Sequence, residues 1–153
     1  MAPVLGAVLA AGCAGKKEEP PKLASQEAAY DLRLSDEFVF KPDHFECAPG
    51  QVLRIRVTNS IPAGGPDLSH NVVFLRGGTD VEAFAQACTN ASADQSYIPA
   101  TLFAQVLGAT PLVHPGHTEE LLLVAPEAPG EYPVICSFPG HCFLGMRGKL
   151  TVR

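Results

Sequence analysis

The sequence predicts an all-β domain, a Greek-key sandwich or barrel with one short helix flap over its outside. Three observations predict it. Apolar residues alternate with polar ones in several short runs, the period of a half-buried strand. Glycine and proline number 14 each, which supplies many turns and few long helices. One segment alone, opening at Thr79, carries the helical period.

The elements follow in order. Val4 to Ala11 is an apolar run too short to span a bilayer, which takes ~20 residues. With Leu9-Ala10-Ala11-Gly12-Cys13 after it, the segment resembles a bacterial lipobox, whose cysteine becomes the lipid-modified first residue. Residues 1–12 are thus expected to be signal-like, and 13–29 a lipidated Cys13 with a polar, proline-bearing tether. Residues 30–153 are the expected domain, at the periplasmic or outer surface, held to the membrane by its lipid alone. Within it Leu32 and Leu34 alternate with charged residues, Phe38 and Phe40 flank Val39, and Leu53, Ile55 and Val57 alternate with Arg54, Arg56 and Thr58. Further strands are predicted over 71–75, 120–124, 131–136 and 149–152. Ala48-Pro49-Gly50-Gln51 and Ala128-Pro129-Gly130-Glu131 are near copies of one turn, each leading into a strand. Thr79-Asp80-Val81-Glu82 fits a capping box, after which Val81, Phe84, Ala85 and Cys88 share a helical face. Residues 90–99 read as a polar loop.

Composition narrows the function classes. Hydrophobic residues make up 46% and charged residues 18%, so a core can form. A net charge of -5 argues against nucleic acid, which needs clustered Lys and Arg.

The chemistry concentrates in Cys136-Ser137-Phe138-Pro139-Gly140-His141-Cys142-Phe143-Leu144-Gly145-Met146. A thiol, an imidazole and a thioether fall in one loop between two predicted strands, where they can converge. His70, at the start of a distant strand, can supply a second imidazole. Two imidazoles, one thiolate and a long, weak thioether are the donor set that suits a type 1 copper cycling between Cu(I) and Cu(II). His70, Cys136, His141 and Met146 are therefore the candidate ligands of one copper per chain.

This loop resembles the ligand loop of the plastocyanin/azurin cupredoxins, and Cys-Ser-Phe-Pro-Gly-His is very close to azurin. Tyr132, four residues before Cys136, and the His70-Asn71 pair extend the resemblance over roughly residues 52–153. One more residue separates His141 from Met146 than in azurin, and the combination of spacings is most similar to the auracyanins. Ser69 stands where azurin has a glycine, and the chain has no tryptophan. The resemblance implies that the backbone N–H groups of Asn71 and Phe138 face the Cys136 sulfur, that the Asn71 side chain ties its loop to the Cys136 loop, and that Pro139 adds no donor. It implies a docking patch of Pro139, Gly140, Phe143 and Leu144 around His141 for transient redox partners such as cytochromes or copper enzymes, with the domain a monomer. An azurin-like alignment sets Cys88 near Cys142, which implies a Cys88–Cys142 disulfide with Cys47 a buried free thiol; the alternative is that all three are reduced and pack as small residues.

His44, His114 and His117 lie outside this set; His114-Pro115-Gly116-His117 reads as a solvated turn. An electron carrier and no enzyme is the leading expectation, since four protein ligands leave no open position for a substrate. The alternative is a copper store or chaperone, which predicts exchangeable Met- or His-rich sites; the chain has two methionines. A Cys–His hydrolase built on Cys136 and His141 ranks last, because such pairs need an orienting group.

Overall fold

The structure is a computed structural model and describes residues 27–66 and 68–153. Among these the chain forms β1 (Ala28–Leu34), β2 (His44–Cys47), β3 (Val52–Asn59), β4 (Val73–Leu75), α1 (Val81–Cys88), two 3-10 turns (Ala93–Gln95 and Ala100–Gln105), β5 (Val106–Ala109), β6 (Thr118–Val124), β7 (Gly130–Ile135) and β8 (Arg147–Val152). Cys13 and the signal-like segment lie outside the described residues. Ala28 and Ala29, expected in the tether, belong to β1, because they pair with Leu53 and Arg54.

The period of two decides what goes inside. In β3, Leu53, Ile55 and Val57 are fully buried while Val52 and Arg56 face out. Burying each such side chain contributes about 1.5–3 kcal/mol. The small sheet has the order β1-β3-β6 and the large one β2-β8-β7-β4-β5. β1 runs parallel to β3 and β2 parallel to β8, and the other pairs are antiparallel. The chain crosses between the sheets repeatedly, and Leu32, Leu34, Ile55, Phe45, Phe74 and Leu150 meet between them in a β-sandwich core.

A second apolar cluster lies against the large sheet. Val73, Leu75 and Ile135 pack there with Phe84, Ala85 and Cys88 of α1 and with Ile98 and Cys142. All three residues of β4 are therefore buried: Phe74 joins the main core, and its neighbours join the helix side. A strand covered on both faces reads as a continuous apolar run.

Two local expectations are corrected. The strand period through Phe38 and Phe40 does not make a strand. Residues 35–43 form a loop that returns to β1 through an Arg33–Lys41 bridge, with Phe38 at a φ of 53°. Phe40 enters the core at 3% exposure while Phe38 turns elsewhere. The helix cap is Asp80 and not Thr79: its carboxylate accepts from the Ala83 N–H at 3.0 Å. Glu82, expected to reach back to the cap, pairs with Arg147 of β8 at 2.5 Å instead.

Candidate metal centre

His70 is placed by backbone pairing. Its N–H donates to the Val113 carbonyl at 3.3 Å and its own carbonyl accepts from the Val113 N–H at 2.6 Å. Asn59 steadies this approach, donating to the Leu68 and Val113 carbonyls at 2.9 Å each. Cys136 follows directly on β7, and Met146 directly precedes β8. The neck of the loop between them is closed by the Cys136 N–H donating to the Met146 carbonyl at 3.2 Å. Inside it the Met146 N–H donates to the His141 carbonyl at 3.0 Å, and Gly140 and Gly145 take the positive φ values of 86° and 107° that the tight path requires.

This frame brings His70, Cys136 and His141 together, with one donor atom from each lying within 4.8 Å of the others. The Nδ1 atoms of His70 and His141 face each other at 3.1 Å, and the Cys136 sulfur lies 3.5 Å from His141 Nδ1. His70 and Cys136 are fully buried and His141 is 4% exposed. Met146 is fully buried in the same side-chain cluster as Cys136.

Burial sets the protonation. Desolvation lowers both imidazoles to about 4, His70 adding to the effect at His141, so both rings are neutral at pH 7 with lone pairs to offer. The Ser35 backbone favours the charged form of His70 but completes no hydrogen bond to its Nε2, which is buried without a partner. Burial pushes the Cys136 thiol up to about 12, opposed by the backbone N–H groups of Asn71 and Phe138. Those two groups thus face the sulfur. A thiol held so high is a poor free nucleophile. A bound cation reverses the balance, because a coordinating thiol is deprotonated outright. Three nitrogen and sulfur donors, buried, neutral and converging without a carboxylate, fit a soft or borderline metal ion.

The surrounding shell is more extensive than the sequence indicates. The Asn71 side chain accepts from the Ser137 N–H at 2.9 Å and donates to the Ser137 hydroxyl at 2.7 Å and the Ser96 carbonyl at 3.1 Å. The Ser137 hydroxyl donates to the same carbonyl at 2.7 Å. Phe138 stacks on the His141 ring, with centroids 4.3 Å apart. Phe38 meets both imidazoles at steep angles, 4.8 Å from His141 and 6.2 Å from His70. Arg147 donates to the Cys142 carbonyl at 2.9 Å, clipping the loop to α1 through Glu82. Phe38, Ser96, Ser137, Glu82 and Arg147 were all outside the expected site. Ser137 and Arg147 have a signal in the sequence, their positions next to Cys136 and Met146; Phe38, Ser96 and Glu82 come from distant segments and have none.

The remaining predicted residues lie as follows. Pro139 and Gly140 are half-buried, while Phe143 is 47% and Leu144 63% exposed beside His141. Cys88 and Cys142, expected as a disulfide, are both free thiols in one apolar cluster under α1. Burial raises both, Cys88 to about 12, and they pack there as small hydrophobes. Cys47 is buried and free. His114 is exposed and shares a 2.7 Å hydrogen bond with the Ser69 hydroxyl.

A β-sandwich with two histidines and a cysteine converging at buried donor atoms defines a cupredoxin-type metal protein. The chain belongs to the plastocyanin/azurin family of copper binding proteins, whose model matches residues 28–153. It is 32% identical over 117 residues to auracyanin-B of Chloroflexus aurantiacus, covering 76% of this chain and 48% of that one, so the chain spans about half the length of this relative. Auracyanin A, a "blue" copper protein from the same thermophilic photosynthetic bacterium, is 28% identical with a TM-score of 0.74, covering 84% of this chain and 100% of that one. Dithionite-reduced auracyanin from Roseiflexus castenholzii is 27% identical with a TM-score of 0.71 over 82% and 97% of the two chains. Copper is accordingly the metal this domain takes.

Proposed function

We propose that the protein carries single electrons between redox proteins, on one type 1 copper held by His70, Cys136, His141 and Met146. The observation that carries this reading is the convergence of two neutral imidazoles and a thiol within 4.8 Å in a buried site. Copper, when bound, supplies the one-electron Cu(I)/Cu(II) couple. The residues supply the rest. Cys136 offers a thiolate whose charge the Asn71 and Phe138 N–H groups hold. His70 and His141 donate neutral nitrogens that serve both oxidation states. The Asn71–Ser137–Ser96 bonds and the neck of the loop keep the donors in one arrangement, so little rearranges as charge comes and goes. Met146 would supply the fourth donor, a thioether, a role supported by its full burial in the same side-chain cluster as Cys136.

Electrons enter and leave beside His141, where Phe143 and Leu144 offer an exposed apolar surface. Small apolar contacts suit short-lived encounters with partners such as cytochromes or copper enzymes. The likeness to auracyanins, one of them a blue copper protein, favours the same reading. The domain acts outside the cytoplasm, tethered by a lipid on Cys13, a reading that rests on the lipobox-like segment alone.

The test is to load the protein with Cu(II), record its visible and electron paramagnetic resonance spectra, and measure electron exchange with a membrane-derived cytochrome. Strong red-region absorption, a narrow copper hyperfine splitting and fast exchange are expected. A colourless Cu(II) adduct refutes the ligand set. Slow exchange with rapid copper donation to an acceptor protein refutes the carrier role in favour of a copper chaperone.

A further inference from the structure

We propose that Phe38 is a positioning residue for the copper site, holding the His70 and His141 rings in place and shielding them from water. The inference rests on those two histidines being copper ligands. Phe38 lies in the loop between β1 and β2, 32 positions before the first histidine and outside the ligand loop. Its ring touches both imidazoles, with centroids 4.8 Å from His141 at 67° and 6.2 Å from His70 at 73°. Inclined rings at these separations are the favourable arrangement for aromatic pairs.

The two imidazoles themselves are 4.8 Å apart, so one side chain braces both. Phe138 stacks on His141 from within the ligand loop and moves with that loop. Phe38 comes from the other end of the chain, and its anchors are independent of the metal. The Arg33–Lys41 backbone bridge closes the loop, Phe40 is buried in the core, and Glu37 pairs with Lys41. Phe38 is itself half-buried, whereas His70 is fully buried and His141 4% exposed, so its ring is part of what stands between the imidazoles and solvent.

The backbone conformation supports a directed role. Phe38 sits at a φ of 53°, a region that a bulky residue rarely adopts and glycine adopts freely. A loop needing only that turn is better served by glycine, and the ring is what a glycine lacks. This separates side-chain bracing from loop shape in a single comparison.

The experiment uses the full chain with Phe38→Gly and Phe38→Ala, each loaded with Cu(II). The readouts are the copper hyperfine splitting, the loss of blue absorbance in excess chelator, and thermal unfolding of the metal-free form. Both variants are expected to change the hyperfine splitting and to release copper about tenfold faster, equivalent to about 1.4 kcal/mol. Phe38→Gly is expected to unfold at a higher temperature than Phe38→Ala, because it suits the turn. A wild-type hyperfine splitting in Phe38→Gly overturns the proposal whatever the release rate. A wild-type chain that is itself colourless with Cu(II) removes the ligand assignment and this proposal together, whereas a blue wild type with unchanged variants removes the role of Phe38 alone.

Discussion

Replacing Asn71 with alanine tests how much of the site's order exists before any metal arrives. The side chain is fully buried and makes three hydrogen bonds, two to Ser137 and one to the Ser96 carbonyl. Asn71→Ala strands the Ser137 N–H, whose residue is 1% exposed, and a stranded buried donor costs about 1–3 kcal/mol. The Ser96 carbonyl keeps its bond from the Ser137 hydroxyl, so the other two losses together add only about 1 kcal/mol. The expected total is about 3 kcal/mol, or roughly a 6–12 °C fall in Tm for a domain of this size. Guanidinium unfolding of the metal-free protein, followed by circular dichroism, measures it. Ser137→Ala in the Asn71→Ala background is expected to cost less than in the wild type, since the partner has already gone. A loss below about 1 kcal/mol with an unchanged denaturant slope, or strict additivity of the two substitutions, refutes the argument.

Three other perturbations follow from the same geometry. Cys136→Ser removes the sulfur and is expected to abolish the blue absorption, while Met146→Leu keeps copper and raises the potential, because losing a weak donor destabilises Cu(II) more than Cu(I); visible spectra and voltammetry check both, and a blue Cys136→Ser variant would exclude this cysteine as the ligand. Both imidazoles fall from 6.5 to about 4 on folding, so the unfolded chain binds more protons between those values. The metal-free protein is expected to hold its stability above about pH 6.5 and to lose it as pH falls toward about 4. A melting temperature that stays flat across that window would contradict the burial argument.

Much of the frame was legible because it depends on local periodicity. The Leu53–Ile55–Val57 alternation is β3, and the helical face of Val81, Phe84, Ala85 and Cys88 is the face that packs on the large sheet. The donors were legible because their residue types are restrictive, and the structure brings His70, Cys136 and His141 to one point. What was illegible depends on tertiary contact. Phe38 and Phe40 show the spacing of a strand, but the chain turns at Phe38 and sends the two rings to different places. β2 and β5 have four residues each, too few for a period to stand out. The cap moved by one residue because Asp80 and Thr79 are both good caps, and Glu82, which a cap at Thr79 would draw back, pairs instead with a residue 65 positions away. Ser96 enters the site by a backbone carbonyl, which any residue type carries.

β7 lies in the middle of its sheet, with β8 along one edge and β4 along the other, and Cys136 is the next residue. Exposing that sulfur by fraying means breaking two ladders at once, an event close in free energy to unfolding the domain outright. The opposite wall is lighter, made of the loop turn bearing His141 and the ring of Phe38 packed against it. An ion held there is expected to exchange with bulk solution through the movement of those few residues and not through loss of the folded sandwich.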